Sequence, residues 1–210
     1  MGFADVAPEM QQSPLSPDIT AALARRSHQV SQLCSAGVAV LGAAVLAGWL
    51  FDIPTLKSLH SSFVTMKANA AFLFVLLGTA VWLAGRDPRS RLATVCGLMV
   101  VLFGALTVAQ DVFGTELGID QILFRDSSTS FRTSAPGRMS SAASLNFILF
   151  GVAVALRDVR PRFVAGQILA GLGGTVSLLA LVGYLYGVKA LYEIRPYSAM
   201  ALHTALGFLL

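Results

Sequence analysis

Side chains able to do chemistry are few in this chain, and the ones that recur are methionines. Met66, Met139 and Met200 each open an apolar run, MKANAAFLFVLLG, MSSAASLNFILFG and MALHTALGFLL, and the three align without a gap. Thioethers at equivalent points of three similar segments would converge if the segments packed around a common axis, and soft thioethers select Cu(I). His203, three residues beyond Met200, could add an imidazole. A methionine at a repeated helix start is nevertheless more often packing material than a ligand. Copper held by Met66, Met139, Met200 and His203 is therefore the less favoured alternative, and no cofactor is expected.

Other reactive groups are scattered. Of His28, His60 and His203, only His203 falls inside a long apolar run, whereas a membrane haem takes paired axial ligands at matching depth. No lysine lies within such a run to carry a retinal Schiff base, Lys189 being at an edge. Cys34 and Cys96 lack CxxC spacing and read as separate buried thiols. Asn69, Gln110, Asp111, Asn146 and Gln167 are polar groups in apolar runs; hydrogen bonding to a neighbouring helix is the expected role of Asn69, Asn146 and Gln167, and Asp111 is read at the aqueous edge.

The elements that must position these groups are membrane helices. Hydrophobic residues make up 55% of the chain and charged residues 12%, against roughly 25% charged in soluble domains; the mean hydropathy is +0.71. Runs of about 20 apolar residues cross a bilayer core, and six can be drawn: Val30 to Phe51, Met66 to Ala84, Leu92 to Phe113, Met139 to Leu156, Val164 to Tyr186, and Tyr197 onward. The sixth is short for a crossing and is expected to run beyond Leu210. Residues 1–29 form a cytoplasmic segment, mostly disordered, with a short helix opening at Pro17.

Counting from each methionine, position +4 is Ala70, Ala143 or Thr204, position +8 is Phe74, Phe147 or Phe208, and position +12 is Gly78 or Gly151. Spacing of four keeps side chains on successive helical turns, so each copy carries a packing stripe of Met, small residue, Phe and Gly. The preceding helices all end in aromatic-rich edges with a turn residue, WLFDIPTL, DVFGTELGID and YLYGVKALYEI, as suits the headgroup region. The expected fold is all-α and polytopic: six transmembrane helices as three repeated hairpins, at about 30–84, 92–156 and 164–210, packed with pseudo-threefold symmetry through the stripe and with the last helix truncated.

The short connections RDPRSR (Arg86 to Arg91) and RDVRPR (Arg157 to Arg162) concentrate positive charge, which places them and the N-terminus on the cytoplasmic side. A net charge of +4 then reflects basic loops beside anionic lipid, with the bilayer as partner and no nucleic acid.

The strings DIPTLKSL, VTMKANAAFLFVLLG, GIDQILFRD, PGRMSSAASLNFILFG and YLYGVKALYEIRPYSAMALHTALGFLL, which span roughly Leu46 to Leu210, resemble the membrane-embedded N-terminal region of bacterial sensor proteins. In those proteins a multi-helix membrane module precedes PAS domains and a histidine kinase, or a diguanylate cyclase. The resemblance implies a sensory input module in the bacterial inner membrane, cytoplasmic output domains after the last helix, and homodimerisation through the kinase. It implies no catalytic residue within this chain. The long second outer loop, with Asp120, Arg125 and Asp126, is the expected place to sense. The alternatives are a small transporter or channel-like protein, or a passive anchor; a transporter would show midplane charges or broken helices, and no internal proline interrupts the six spans.

Overall fold

A computed structural model describes residues 17–60, 63–126, 135–157, 160–195 and 198–210. Disorder expected before residue 17 lies outside this range.

The chain is helical, and its helix ends follow from local chemistry. Helix α1, Pro17–Leu50, opens with a proline and an acidic first turn and runs unbroken for 34 residues, so the short N-terminal helix and the first span are one element. A one-turn helix α2, Pro54–Lys57, follows. Helix α3, Ala68–Arg86, leads to α4, Arg91–Phe113, where the Ser90 hydroxyl accepts the Ala93 N–H at 3.3 Å. Helix α5, Ser141–Leu156, is capped the same way by Ser140 on Ala143. Helix α6, Arg160–Tyr186, and α7, Leu202–Leu209, complete the set. Strands β1, Glu193–Arg195, and β2, Ser198–Ala199, form a small antiparallel pair between them within an otherwise helical fold.

By length and composition four helices can cross a membrane, Asp18–Leu50, Ala68–Arg86, Arg91–Phe113 and Val164–Tyr186, while Ser141–Leu156 is apolar but shorter. The count differs from six because α5, with 16 residues, and α7, with 8, are shorter than a crossing. Met66, Met139 and Met200 sit in extended chain, one residue before the N-caps Lys67, Ser140 and Ala201, whose ψ values are 150, 149 and 147°.

Packing forms a ring. Helix α3 lies against α1, α5 against α4, and α7 against α6; α3 also touches α4, α5 touches α6, and α7 returns to α1. Helices α3, α5 and α7 are thus inside, and α1, α4 and α6 outside. The outer helices turn Leu33, Val40, Leu98, Leu102, Ile168 and Leu172 outward, an apolar exterior suited to lipid.

At the centre the rings of Phe74, Phe147 and Phe208 meet pairwise at centroid distances of 4.9, 4.7 and 4.7 Å. The +12 glycines do not join them. A Cβ at Gly78 would lie 2.6 Å from the Ser35 carbonyl oxygen on α1, and one at Gly151 2.8 Å from that of Gly97 on α4. Each four-residue step turns a straight helix by about 40° beyond a full turn, so by +12 the stripe has rotated from the centre toward the outer helix. Glycine likewise lets α4 approach α5 at Gly104, beside Ser144. In α6, Gly173 meets the Phe150 ring, but Gly171 and Gly174 face open space, so its glycine cluster is only partly a packing surface.

Helices α1, α4 and α6 end in one kind of turn. Asp52, Gly114 and Gly187 have φ of 53, 63 and 67°. The next N–H in each case reaches the carbonyl five residues back: Ile53 to Gly48 at 2.8 Å, Thr115 to Gln110 at 3.2 Å, Val188 to Gly183 at 2.8 Å. This is the long bond of a Schellman cap, which favours glycine in the left-handed position. Only the first turn uses aspartate there.

Candidate functional site at the loop end

The end of the bundle bearing these turns, here the loop end, fastens its backbone to the inner helices. The Met66 N–H donates to the Lys57 carbonyl at 3.0 Å, and the Met200 N–H to the Tyr192 carbonyl at 2.9 Å. The indole N–H of Trp49 donates to the Met66 carbonyl at 3.0 Å, and the Tyr184 hydroxyl to that of Met200 at 2.7 Å. Asn69, near the start of α3, donates to the carbonyls of Ile119 and Asp120 at 2.9 and 3.1 Å. The His203 imidazole, near the start of α7, hydrogen-bonds the Lys57 backbone. Helices α3 and α7 are therefore tied both to the loop that precedes them and to a second loop.

Where the first and third turns present Trp49 and Tyr184, the second presents Asp111, and charge takes over. Arg138 donates from Nε to Asp120 at 2.9 Å and from Nη1 to Asp111 at 3.2 Å, with side-chain exposures of 7%, 10% and 7% for Arg138, Asp120 and Asp111. The Ser141 hydroxyl donates to the other Asp111 oxygen at 2.7 Å. Gln110 donates to Asp120 at 3.2 Å and accepts the Leu117 N–H at 2.7 Å. A second pair joins Lys67 to Asp126 at 2.6 Å, and the Gly137 N–H supplies Asp126 with a further bond at 3.2 Å. Buried ion pairs of this kind are costly to break because removing one partner strands the other.

These contacts alter the roles expected of the loop residues. Asp120 and Asp126 are turned inward and occupied by Arg138 and Lys67, so of the three candidate sensing charges only Arg125 faces outward. Among the described residues Arg125 has no ion-pair partner. The partners Lys67 and Arg138 were not singled out as a site from sequence, and Asp111 was read only as a group at the aqueous edge. They lie 59, 27 and 18 positions from the groups they meet, a separation that no local pattern reveals.

Below the charges lies the methionine layer. Met66 and Met139 line a void of about 10 Å³ together with Ala70, Ala143, Thr204 and the residues flanking Met200; such a volume is at the lower limit for one water. Met66, Met139 and Met200 are 1%, 3% and 0% exposed. The His203 Nε2 has no hydrogen-bond partner among the described residues, and no group there of three or more His, Cys, Asp or Glu could hold a metal. Deeper still, Asn146 donates to the Gly173 carbonyl at 3.1 Å and to Ser177 at 2.7 Å on α6, while Gln167 is exposed. Cys34 and Cys96 are free thiols on α1 and α4.

No protein-family model matches this chain, and no curated protein or solved structure is detectably similar to it.

Proposed function

We propose that this chain is the membrane-embedded input module of a bacterial sensor protein, and that it transmits changes in helix packing to PAS and kinase domains on the cytoplasmic side of the inner membrane. In this proposal the hairpins α1 with α3, α4 with α5, and α6 with α7 are three copies of one unit around a pseudo-threefold axis, each contributing two spans. The N-terminus and the short basic connections face the cytoplasm. The loop end faces outward.

The observation that carries the proposal is the position of α7. It stands among the inner helices, bonded through Met200 to Tyr192 and Tyr184 and through His203 to Lys57, and its ring Phe208 meets Phe74 and Phe147. A displacement of the outer loops is thereby carried to an inner helix that runs toward the opposite face, as α3 and α5 also do. An apolar cleft of about 470 Å³ opens next to Leu210, lined by Val30, Cys34, Val38, Leu77 and Phe150. A transporter fits less well, because Lys67, Asp111, Asp120, Asp126 and Arg138 gather at the loop end rather than at the midplane.

Reading the gene downstream of the Leu210 codon tests the proposal. In-frame codons for a cytoplasmic signalling domain support it. A stop immediately after the helix overturns it in favour of a transporter or an anchor.

A further inference from the structure

Outside the buried ion pairs, the loop end opens a pocket of about 700 Å³ whose border includes Trp49, Lys57, His60, Phe63, Phe124 and Arg125. That volume lies in the range of small-molecule sites, which combine apolar walls with a few fixed polar groups. Three aromatic side chains stand among mostly polar lining residues: Trp49 and Phe124 have ring centroids 6.2 Å apart, and Phe63 is braced edge-on against Tyr184 at 5.6 Å.

The charges at the border are unevenly committed. Asp126 belongs to the buried pair with Lys67. Lys57, with its ammonium 5.0 Å from the centre of the Trp49 ring, is paired with Asp52. Arg125 is left over, a guanidinium at the border with no carboxylate of its own among the described residues.

Asp52 shows what the pocket would accept. Its side chain is 91% exposed, whereas that of Lys57 is 17% exposed, so the carboxylate reaches in from water to a lysine already fixed over an indole. It does so from a left-handed backbone position, φ 53°, at which the two corresponding turns use Gly114 and Gly187. A non-glycine residue there is strained, and what accompanies the aspartate is a carboxylate on Lys57. Asp52 thus marks the place of a ligand carboxylate, and it can swing aside into solvent.

We infer that this pocket binds a small organic carboxylate with a flat apolar or aromatic body. The carboxylate is held between Lys57 and Arg125, and the body lies on Trp49, Phe63 and Phe124. The role of such a ligand as stimulus rests on the input-module proposal; its binding does not.

The test uses the whole chain in nanodiscs of zwitterionic phosphatidylcholine. Because the chain has two tryptophans, a Trp82→Phe variant leaves Trp49 as the only indole, and its emission is followed during titration. The probes are benzoate and 3-phenylpropionate, with benzamide and 3-phenylpropionamide as neutral counterparts and acetate as the carboxylate without a body. A saturable change with the two aromatic acids, absent with the amides and with acetate, is expected. Arg125→Gln, an exposed change that leaves the packing alone, should raise Kd about tenfold or more, by loss of a charge-assisted hydrogen bond. Asp52→Asn should lower Kd by about two- to fivefold, the span of a weak exposed ion pair that no longer competes. No saturable response to either acid, an equal response to the amides, or an unchanged Kd in Arg125→Gln overturns the inference. So does an anionic phosphatidylglycerol nanodisc that gives the shifted emission alone and abolishes the response to the acids, since the occupant is then a lipid headgroup. None of these measurements involves an output domain, so their failure leaves the input-module proposal intact, and a gene that stops after the helix leaves the binding result intact.

Discussion

Replacing Phe147 with alanine probes the centre of the bundle directly. Phe147 is 0% exposed and touches Phe74 at 4.9 Å and Phe208 at 4.7 Å between centroids. Within a bilayer little hydrophobic transfer energy is at stake, because lipid tails are as apolar as the core, so the loss is one of packing. Emptying ~100 Å³ at ~24 cal/mol per Å³ costs about 2.4 kcal/mol. Two aromatic contacts at about 0.5–1.5 kcal/mol each add about 1–3 kcal/mol. The sum, about 3–5 kcal/mol, should appear in SDS-titrated unfolding in mixed micelles followed by far-ultraviolet circular dichroism. Phe147→Leu should fall between the wild type and Phe147→Ala. Leu102→Ala, at a position 50% exposed on α4, should change stability by no more than about 0.5 kcal/mol. A loss below about 1 kcal/mol for Phe147→Ala, or one equal to that of Leu102→Ala, would refute the central ring cluster as the element that holds α3, α5 and α7 together.

Arg138→Gln strands the mostly buried Asp111 and Asp120 and should destabilise by about 3–5 kcal/mol in the same unfolding assay, with partial recovery on adding Asp120→Asn. Gly78→Ala, whose new Cβ would lie 2.6 Å from the Ser35 carbonyl, should lower stability, whereas Gly174→Ala, with nothing within 4 Å, should be neutral or gain up to about 1 kcal/mol from helix propensity; equal effects would contradict the close approach of α1 and α3. Gly137→Ala should cost more than Gly114→Ala, because both have positive φ but only Gly137 has a carbonyl oxygen, that of Asp120, crowding the new methyl. In a Cys-free background, an impermeant maleimide applied to intact cells should label Glu116→Cys and spare Arg89→Cys; the reverse pattern would invert the proposed orientation.

The central contacts were visible in the sequence because they rest on side-chain type at helical spacing. A phenylalanine eight residues after each methionine is a local pattern, and three such rings occupy one cluster. The turn after each outer helix was legible too, in WLFD, DVFG and YLYG, where the last residue takes positive φ. What local spacing could not supply was partnership across the fold. Asp120 and Asp126 drew notice as loop charges, yet their roles are set by Arg138, two residues before the N-cap of α5, and by Lys67, the N-cap of α3. The +12 glycines were assigned to the right helices but to the wrong neighbour, since a four-residue count does not track a face that rotates by about 40° with each step. The bonds from Met66 and Met200 to loop carbonyls run through backbone atoms, which carry no residue-type signal at all.

The contact of α7 with α1 has a consequence for biosynthesis. A chain threading into the membrane from its N-terminus lays down α1 and α3 first, yet the groove between them at Leu41 and Phe74 is met by Gly207, near the end of the sequence. Until that point the growing protein is an open arc, with the Phe74 ring awaiting a group that the ribosome has not yet made. A nascent chain stalled before residue 202 would lack this latch, and would present to the quality-control machinery a face that α7 otherwise covers.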